Sequence, residues 1–270
     1  MNISVSNIAW SKGINNLTSF FNQLEQRKVK GVELALSCFW EEPIEVDNSE
    51  LFWLRNELKA RDLKLVSLHS LTYTRPDLEV FYSSEKRASL LGYLKAYRDI
   101  ACDLGCKNLV FGSPKSRVTY GKNKSELDDV FFNFLCEIEQ LMDGLNFNIE
   151  PLSKNFCEYL NSFEECFNLL NKQEFQKIFI QLDVRTIIET KEKLEKIFSN
   201  FHFIKHVHAG NPGLKIPGKP YQDIHQKIRS KLLDSKYSGY ISAEVASQDK
   251  VSNEEFINQI IDSMVYLYGK

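Results

Sequence analysis

Short β-type runs recur along this chain at intervals of about 25 to 45 residues, the spacing of a strand–helix unit. They read ISVSNIA (3–9), GVELAL (31–36), LKLVSLH (63–69), NLVFG (108–112), FNIE (147–150), IFIQLD (178–183), IKHVH (204–208) and YISAE (240–244). Between and after them lie stretches with apolar residues at helical spacing: 17–29, 49–62, 84–105, 125–145, 162–173, 190–200, 221–236 and 252–269. Ser49 is the expected N-cap of the second, and Gly105 and Gly144 fall where helix C-terminal glycines belong. This alternation predicts an α/β chain closed as a (β/α)8 TIM barrel, in a single domain over 1–270. An open doubly wound sheet competes. Its dinucleotide-binding version needs a glycine fingerprint after the first strand, and NIAWSKGINN holds one glycine.

The chain has 270 residues, close to the roughly 250 typical of such a barrel. With 34 basic and 36 acidic residues the net charge is −2, so no global field draws in nucleic acid or an anionic membrane. No run reaches the eighteen or so apolar residues of a membrane helix. MNISVSNIAW lacks a basic region followed by an apolar stretch, and a cytoplasmic protein is the expectation. Cys38, Cys102, Cys106, Cys136, Cys157 and Cys166 form no CxxC pair and read as reduced thiols.

Four later runs end in residues that bind metals: Glu150, Asp183, His208 and Glu244. A closed barrel makes its C-terminal strand ends converge, and that face is where such barrels carry their active sites. Three carboxylates and an imidazole suit one divalent metal ion, Mn, Mg, Co or Zn. Strand side chains alternate, so Asn148, Gln181, His206 and Ser242 lie beneath the four. All are polar where branched apolar residues are the norm, which predicts a tier of hydrogen-bonding groups that orients the ligands. A solvated polar mouth without an ion is the plainer alternative.

The segments GVELAL, LVSLH, LVFGSPKSR, NIEPLS, QLD, HVHAGN, PGKPYQDI and SAEV resemble the xylose isomerase-like TIM-barrel superfamily over nearly the whole chain. More narrowly they resemble its sugar phosphate isomerases and epimerases, with ketose 3-epimerases and apurinic endonucleases as relatives. The resemblance implies a divalent metal held by Glu150, Asp183, His208 and Glu244. It gives Glu150 and Glu244 a second role as acid/base partners on opposite faces of a small sugar or sugar phosphate. The metal would polarise a carbonyl and hydroxyl and stabilise an enediolate. The chain departs from the epimerase pattern at Thr186, where those enzymes place a substrate-binding histidine. It departs again at Phe156, in place of a glutamate, and at Asn211, in place of an acidic residue. A metal-dependent lyase or dehydratase, an apurinic endonuclease-like hydrolase and a non-catalytic sugar-binding barrel therefore stay open.

Further candidates surround the strand ends. His69 ends the third run and is a substrate contact, an extra ligand or a satisfied barrel histidine. Glu33 in the second run binds a substrate hydroxyl or has a structural role. In GSPKSR (112–117), Lys115 and Arg117 with Ser113 would hold a phosphate or carboxylate, or stand as exposed loop cations. Arg185 and Lys219 are further substrate-binding candidates above the site. Trp10, Phe39 and Trp40 pack on a sugar face or against helices. His202 and His225 are expected on the surface or in helices. Segment 113–124 is long enough for a lid. Gly112-Ser113-Pro114 stands where multi-metal endonucleases carry an extra histidine, which argues against a trinuclear zinc site. The expected partner is a small sugar rather than nucleic acid or membrane, and a homo-oligomer is compatible with such a barrel.

Overall fold

A computed structural model describes residues 1–10, 12–247 and 252–269. Eight parallel strands close in chain order: β1 (Asn2–Ser6), β2 (Gly31–Leu34), β3 (Lys64–Leu68), β4 (Asn108–Phe111), β5 (Asn146–Ile149), β6 (Ile178–Asp183), β7 (Ile204–Ala209) and β8 (Tyr240–Ala243). Around them run α1 (Ile14–Gln26), α2 (Asn48–Ala60), α3 (Ser84–Asp103), α4 (Lys124–Leu141), α5 (Phe163–Leu170), α6 (Val184–Thr190), α7 (Leu194–Phe198), α8 (Gln222–Asp234) and α9 (Asn253–Tyr268). The expected (β/α)8 barrel is the fold. No helix among the described residues is long and apolar enough to cross a membrane.

Apolar runs mark burial, and the ladders are shorter than the runs. After β1 the chain turns at once into a 3-10 turn, Asn7–Ala9, and a second follows β2 at Leu36–Cys38. Ala9 and Leu36 are buried there without being strand. The N-cap of α2 is Asp47 rather than Ser49, since its carboxylate accepts the backbone N–H groups of Ser49 and Glu50. Between sheet and helices, Phe20 and Phe21 of α1, Phe131 and Phe134 of α4, and Phe256 of α9 are fully or almost fully buried. Each contributes on the order of 1.5–3 kcal/mol by leaving water.

The largest departure follows β6. A helix over 190–200 is expected, yet the chain forms α6 directly from the strand and then the short α7. The segment VRTIIET is rich in β-branched residues, which favour strands, so its pattern does not announce a helix. Asp183 overrides that preference. It ends β6 and caps α6, accepting the Arg185 N–H at 3.0 Å. No loop intervenes, and Val184 through Ile187 are all buried at the mouth of the barrel.

Register sets the heights of the site residues. Asp183 pairs with His208 and Gln181 with His206, while His208 pairs with Ser242. Across the barrel, Ser6 pairs with Glu33 and Glu33 with Ser67. The ladders shift register at Val32/Glu33 and at Ile180/Gln181. Irregularities of this kind re-aim side chains next to active sites. Here they lie just before the residues that converge.

Candidate active site

Glu150, Asp183, His208 and Glu244 sit at the C-terminal ends of β5 to β8, all buried. Gly112, just past β4, makes room for the first: a Cβ there would collide with the Glu150 carboxylate. His208 Nδ1 lies 3.6 Å from Glu150 Oε1 and 3.5 Å from Glu244 Oε2. Donor atoms of these three lie within 4.8 Å of one another. Among the described residues neither His208 Nδ1 nor Glu150 Oε1, both buried, has a hydrogen-bond partner, an arrangement that is costly unless something binds between them.

The ring of His208 is held from below. Its Nε2 lies 2.9 Å from Glu33 Oε1, which is 2.8 Å from His206 Nε2 and also accepts from Ser67 Oγ. A carboxylate bonded to one imidazole nitrogen fixes the ring and presents the other nitrogen as a ligand. Burial pushes the Glu33 carboxyl up, but the imidazoles of His208, His69 and His206 outweigh it and hold its pKa well below the usual range. Burial lowers His206, only partly offset by Glu33. Burial would also lower His208, but Glu33 and Glu244 raise it well above an ordinary imidazole. Burial and then the Glu244 charge raise Glu150. Burial opposes ionisation of Glu244 too, yet Arg185 and His208 hold it well below the carboxylate range.

Arg185 is buried among these carboxylates. Its Nη2 lies 3.0 Å from Asp183 Oδ2 and 3.6 Å from both Glu150 Oε1 and Glu244 Oε2. Asp183 Oδ2 also accepts from Arg185 Nε at 3.2 Å. The Thr186 hydroxyl stands between Asp183 Oδ2 at 2.9 Å and Pro151 O at 3.0 Å and donates to one of them. Burial disfavours the guanidinium, but Asp183, Glu244 and Glu150 raise its pKa above the ordinary arginine value.

Above lies a pocket of about 480 Å³, lined by His69, Lys115, Glu150, Phe156, Arg185 and Glu244 among others. That volume is in the range of small-molecule sites. His69 is fixed by Ser6 Oγ at 2.7 Å from Nε2, and its Nδ1 faces Glu244 Oε1 at 3.6 Å. Lys115 is exposed at the rim. Four substrate-binding candidates lie outside the pocket lining. Arg117 is fully buried, and its guanidinium donates to the carbonyls of Gly112, Glu150 (3.1 Å) and Tyr159 (3.4 Å), so it ties strand ends together. Glu33 lies beneath His208 with no exposure and is not part of the pocket lining. Trp10 packs on Phe20 with ring centroids 5.8 Å apart, away from the pocket. Lys219 is exposed and is not part of the pocket lining.

The polar tier is buried as expected, but it does not orient the ligands directly. The Asn148 amide donates to Leu109 O at 3.2 Å, Ser242 Oγ pairs with Ser4 Oγ at 2.5 Å, and neither Gln181 side-chain atom finds a partner among the described residues. His206 alone connects, through Glu33. The support that does reach His208 comes from across the barrel, from Glu33 on β2. Sequence reading missed this role of Glu33, because residues 33 and 208 share no local pattern. Gly112, a glycine directly after a strand, was the visible hint of a close approach. His225 lies in α8 and is fully buried, while His202 is exposed. Segment 113–124 is tethered by Thr72 to Ser116 at 2.9 Å and by Lys122 Nζ to Phe81 O at 2.9 Å. No disulfide forms among the cysteines.

The donor set fits a divalent ion at Glu150, His208 and Glu244, with two unpartnered donors already facing one space. Asp183 is the exception, because Arg185 and Thr186 engage its oxygens. Fold and site together define a (β/α)8 barrel with a buried carboxylate–imidazole cluster at the C-terminal ends of its strands. The sequence profile of the xylose isomerase-like TIM barrel family matches residues 50–264, and the chain belongs to that family. Among solved structures it is similar to D-psicose 3-epimerase from Clostridium cellulolyticum H10 (14% identity, 100% of both chains, TM-score 0.83). It is similar also to an IolI protein with a binding zinc atom (18%, 99% of this chain and 98% of that one, TM-score 0.77). A third likeness is to a family 2 AP endonuclease from Brucella melitensis (17%, 97% and 99%, TM-score 0.71). At these identities the likeness is one of fold. No curated protein sequence matches.

Proposed function

We propose that this protein is a divalent-metal-dependent isomerase or epimerase of a small sugar or sugar phosphate. The observation that carries the reading is the pair of glutamates, Glu150 and Glu244, whose carboxylates flank His208 Nδ1 at the floor of a sugar-sized pocket. Glu150, His208 and Glu244 would hold the ion, with Asp183 as a fourth ligand once freed from Arg185. When bound, the ion supplies Lewis-acid polarisation of a carbonyl oxygen, which acidifies the neighbouring C–H. One glutamate takes the proton from that carbon, and the other returns a proton from the opposite face. Glu33 keeps His208 in register. His69, beside Glu244, is placed to bond a substrate hydroxyl, and Lys115 at the rim offers a point charge to a phosphate. The epimerases among the similar structures favour this chemistry over hydrolysis.

The test is proton–deuterium exchange in D2O over a panel of ketoses and ketose phosphates with Mn-loaded protein. Exchange at the carbon beside the carbonyl is expected. Glu150→Gln or Glu244→Gln should slow it by roughly 10²- to 10⁴-fold, the usual worth of a positioned acid or base. No exchange with any sugar in the panel sinks the reading.

A further inference from the structure

One arginine nitrogen approaches three strand-end carboxylates at once, which is the office of a metal ion. Arg185 Nη2 is 3.0 Å from Asp183 and 3.6 Å from each of Glu150 and Glu244. The contacts are built in rather than incidental. Arg185 is in the first turn of α6, and its backbone N–H is bound by the same aspartate that its side chain forks onto. The Thr186 hydroxyl lies 2.9 Å from Asp183 Oδ2, and the Phe156 ring lies 5.3 Å from the guanidinium carbon. Of the three positions that depart from the epimerase pattern, Phe156 lies over Arg185 itself and Thr186 contacts the aspartate that Arg185 binds.

Three buried carboxylates this close repel one another and need a counter-charge. His208 faces Glu150 and Glu244 but is shared with Glu33, which leaves a divalent ion or the guanidinium to span all three, and both draw on the same oxygens. Two cations a few ångströms apart in a buried site repel strongly. The pocket gives Arg185 a way out, since the guanidinium lines it beside the half-exposed Phe156.

We infer that Arg185 is a resident cation of this site: it holds the carboxylate cluster together when no metal is bound, and it competes with a divalent ion for Asp183, Glu150 and Glu244. Metal binding then requires Arg185 to release Asp183 and withdraw toward the pocket. The inference rests on the metal centre proposed above and adds a built-in competitor to it.

The experiment uses chelator-stripped wild type, Arg185→Gln and Arg185→Lys, titrated with Mn2+ and with Zn2+ by calorimetry, with thermal unfolding before and after loading. Metal-free Arg185→Gln should melt lower than metal-free wild type. It should bind metal about tenfold or more tightly, as expected on removing a buried unit charge from beside the ligands. Its gain in Tm on loading should exceed that of wild type. Arg185→Lys, which keeps a single point charge, should fall between them and serves if the glutamine variant does not fold. Variant and wild type binding with indistinguishable affinity would overturn the inference while leaving the metal centre standing. Metal bound by neither would overturn both.

Discussion

Two arginines are buried at the same end of the barrel, and they do opposite things. Arg117 is surrounded by carbonyls from the ends of β4 and β5 and from Tyr159. Arg185 is surrounded by carboxylates at the ends of β5, β6 and β8. Both read from sequence as cations for a substrate anion. The difference lies in their partners. A carbonyl dipole keeps one charge state and stays with its strand, so a guanidinium that satisfies several of them becomes part of the scaffold. A carboxylate binds any cation that reaches it, so a guanidinium among carboxylates is exchangeable. Two of the four buried histidines repeat the contrast. His208 faces ionised groups, and its pKa rises against burial. The His225 ring meets Tyr268 OH at 2.6 Å and Asn211 Oδ1 at 2.9 Å, both uncharged, and burial drives its pKa down to about 4.

The widest separation should come from Arg117→Met. It takes the guanidinium from three buried carbonyls, of which Tyr159 O keeps the weak Cys157 thiol donor, so at about 1–3 kcal/mol each a loss of about 3–5 kcal/mol is expected in urea unfolding. A loss below about 1 kcal/mol would erase the distinction between scaffold and site. His225 gives the next largest effect, as a dependence on pH. Its pKa falls from 6.5 to about 4 on folding, so as pH drops the unfolded chain takes the proton first. Stability from the neutral ring is complete above pH 6.5 and is lost between 6.5 and about 4, up to roughly 3 kcal/mol. Urea midpoints of wild type and His225→Gln, followed from pH 7 down to 4.5, should converge as the wild type loses this term. Parallel curves would show that His225 does not titrate in this window.

What was legible in the sequence follows the same division. Strands buried on both faces read as continuous apolar runs, so all eight were visible, and Asp183 at the end of β6 and His208 one before the end of β7 were visible with them. Glu150 and Glu244, each one residue past its ladder, were found for the same reason. Partners were not legible. Nothing local to LVFGSPKSR says that Arg117 turns inward to carbonyls while Lys115, two residues before it, stays at the rim. Nothing local to GVELAL says that Glu33 supports an imidazole on β7. The helix after Asp183 was hidden by a β-branched segment whose start is fixed by an aspartate read only as a ligand. A charged residue at a strand end could be placed by pattern; whether its neighbours are dipoles or charges depended on the closed barrel.

The smallest effect tests the exchangeable side most delicately. The Phe156 ring lies over the Arg185 guanidinium, and it is about half exposed, so it is not needed for the core. A cation–π contact at such a site is worth about 0.5–1 kcal/mol. Phe156→Ala removes that support without touching a carboxylate. Metal-free Arg185 then holds Asp183 less firmly, and a divalent ion meets a weaker competitor. Mn2+ affinity should rise by about two- to fivefold, the same energy expressed as a binding ratio, while the melting temperature of the metal-free protein changes little. The direction is the informative part. If Phe156 served the metal-bound state instead, by packing on Arg185 after its withdrawal, the same truncation would weaken Mn2+ binding, and the guanidinium would have its stable seat in the pocket rather than among the carboxylates.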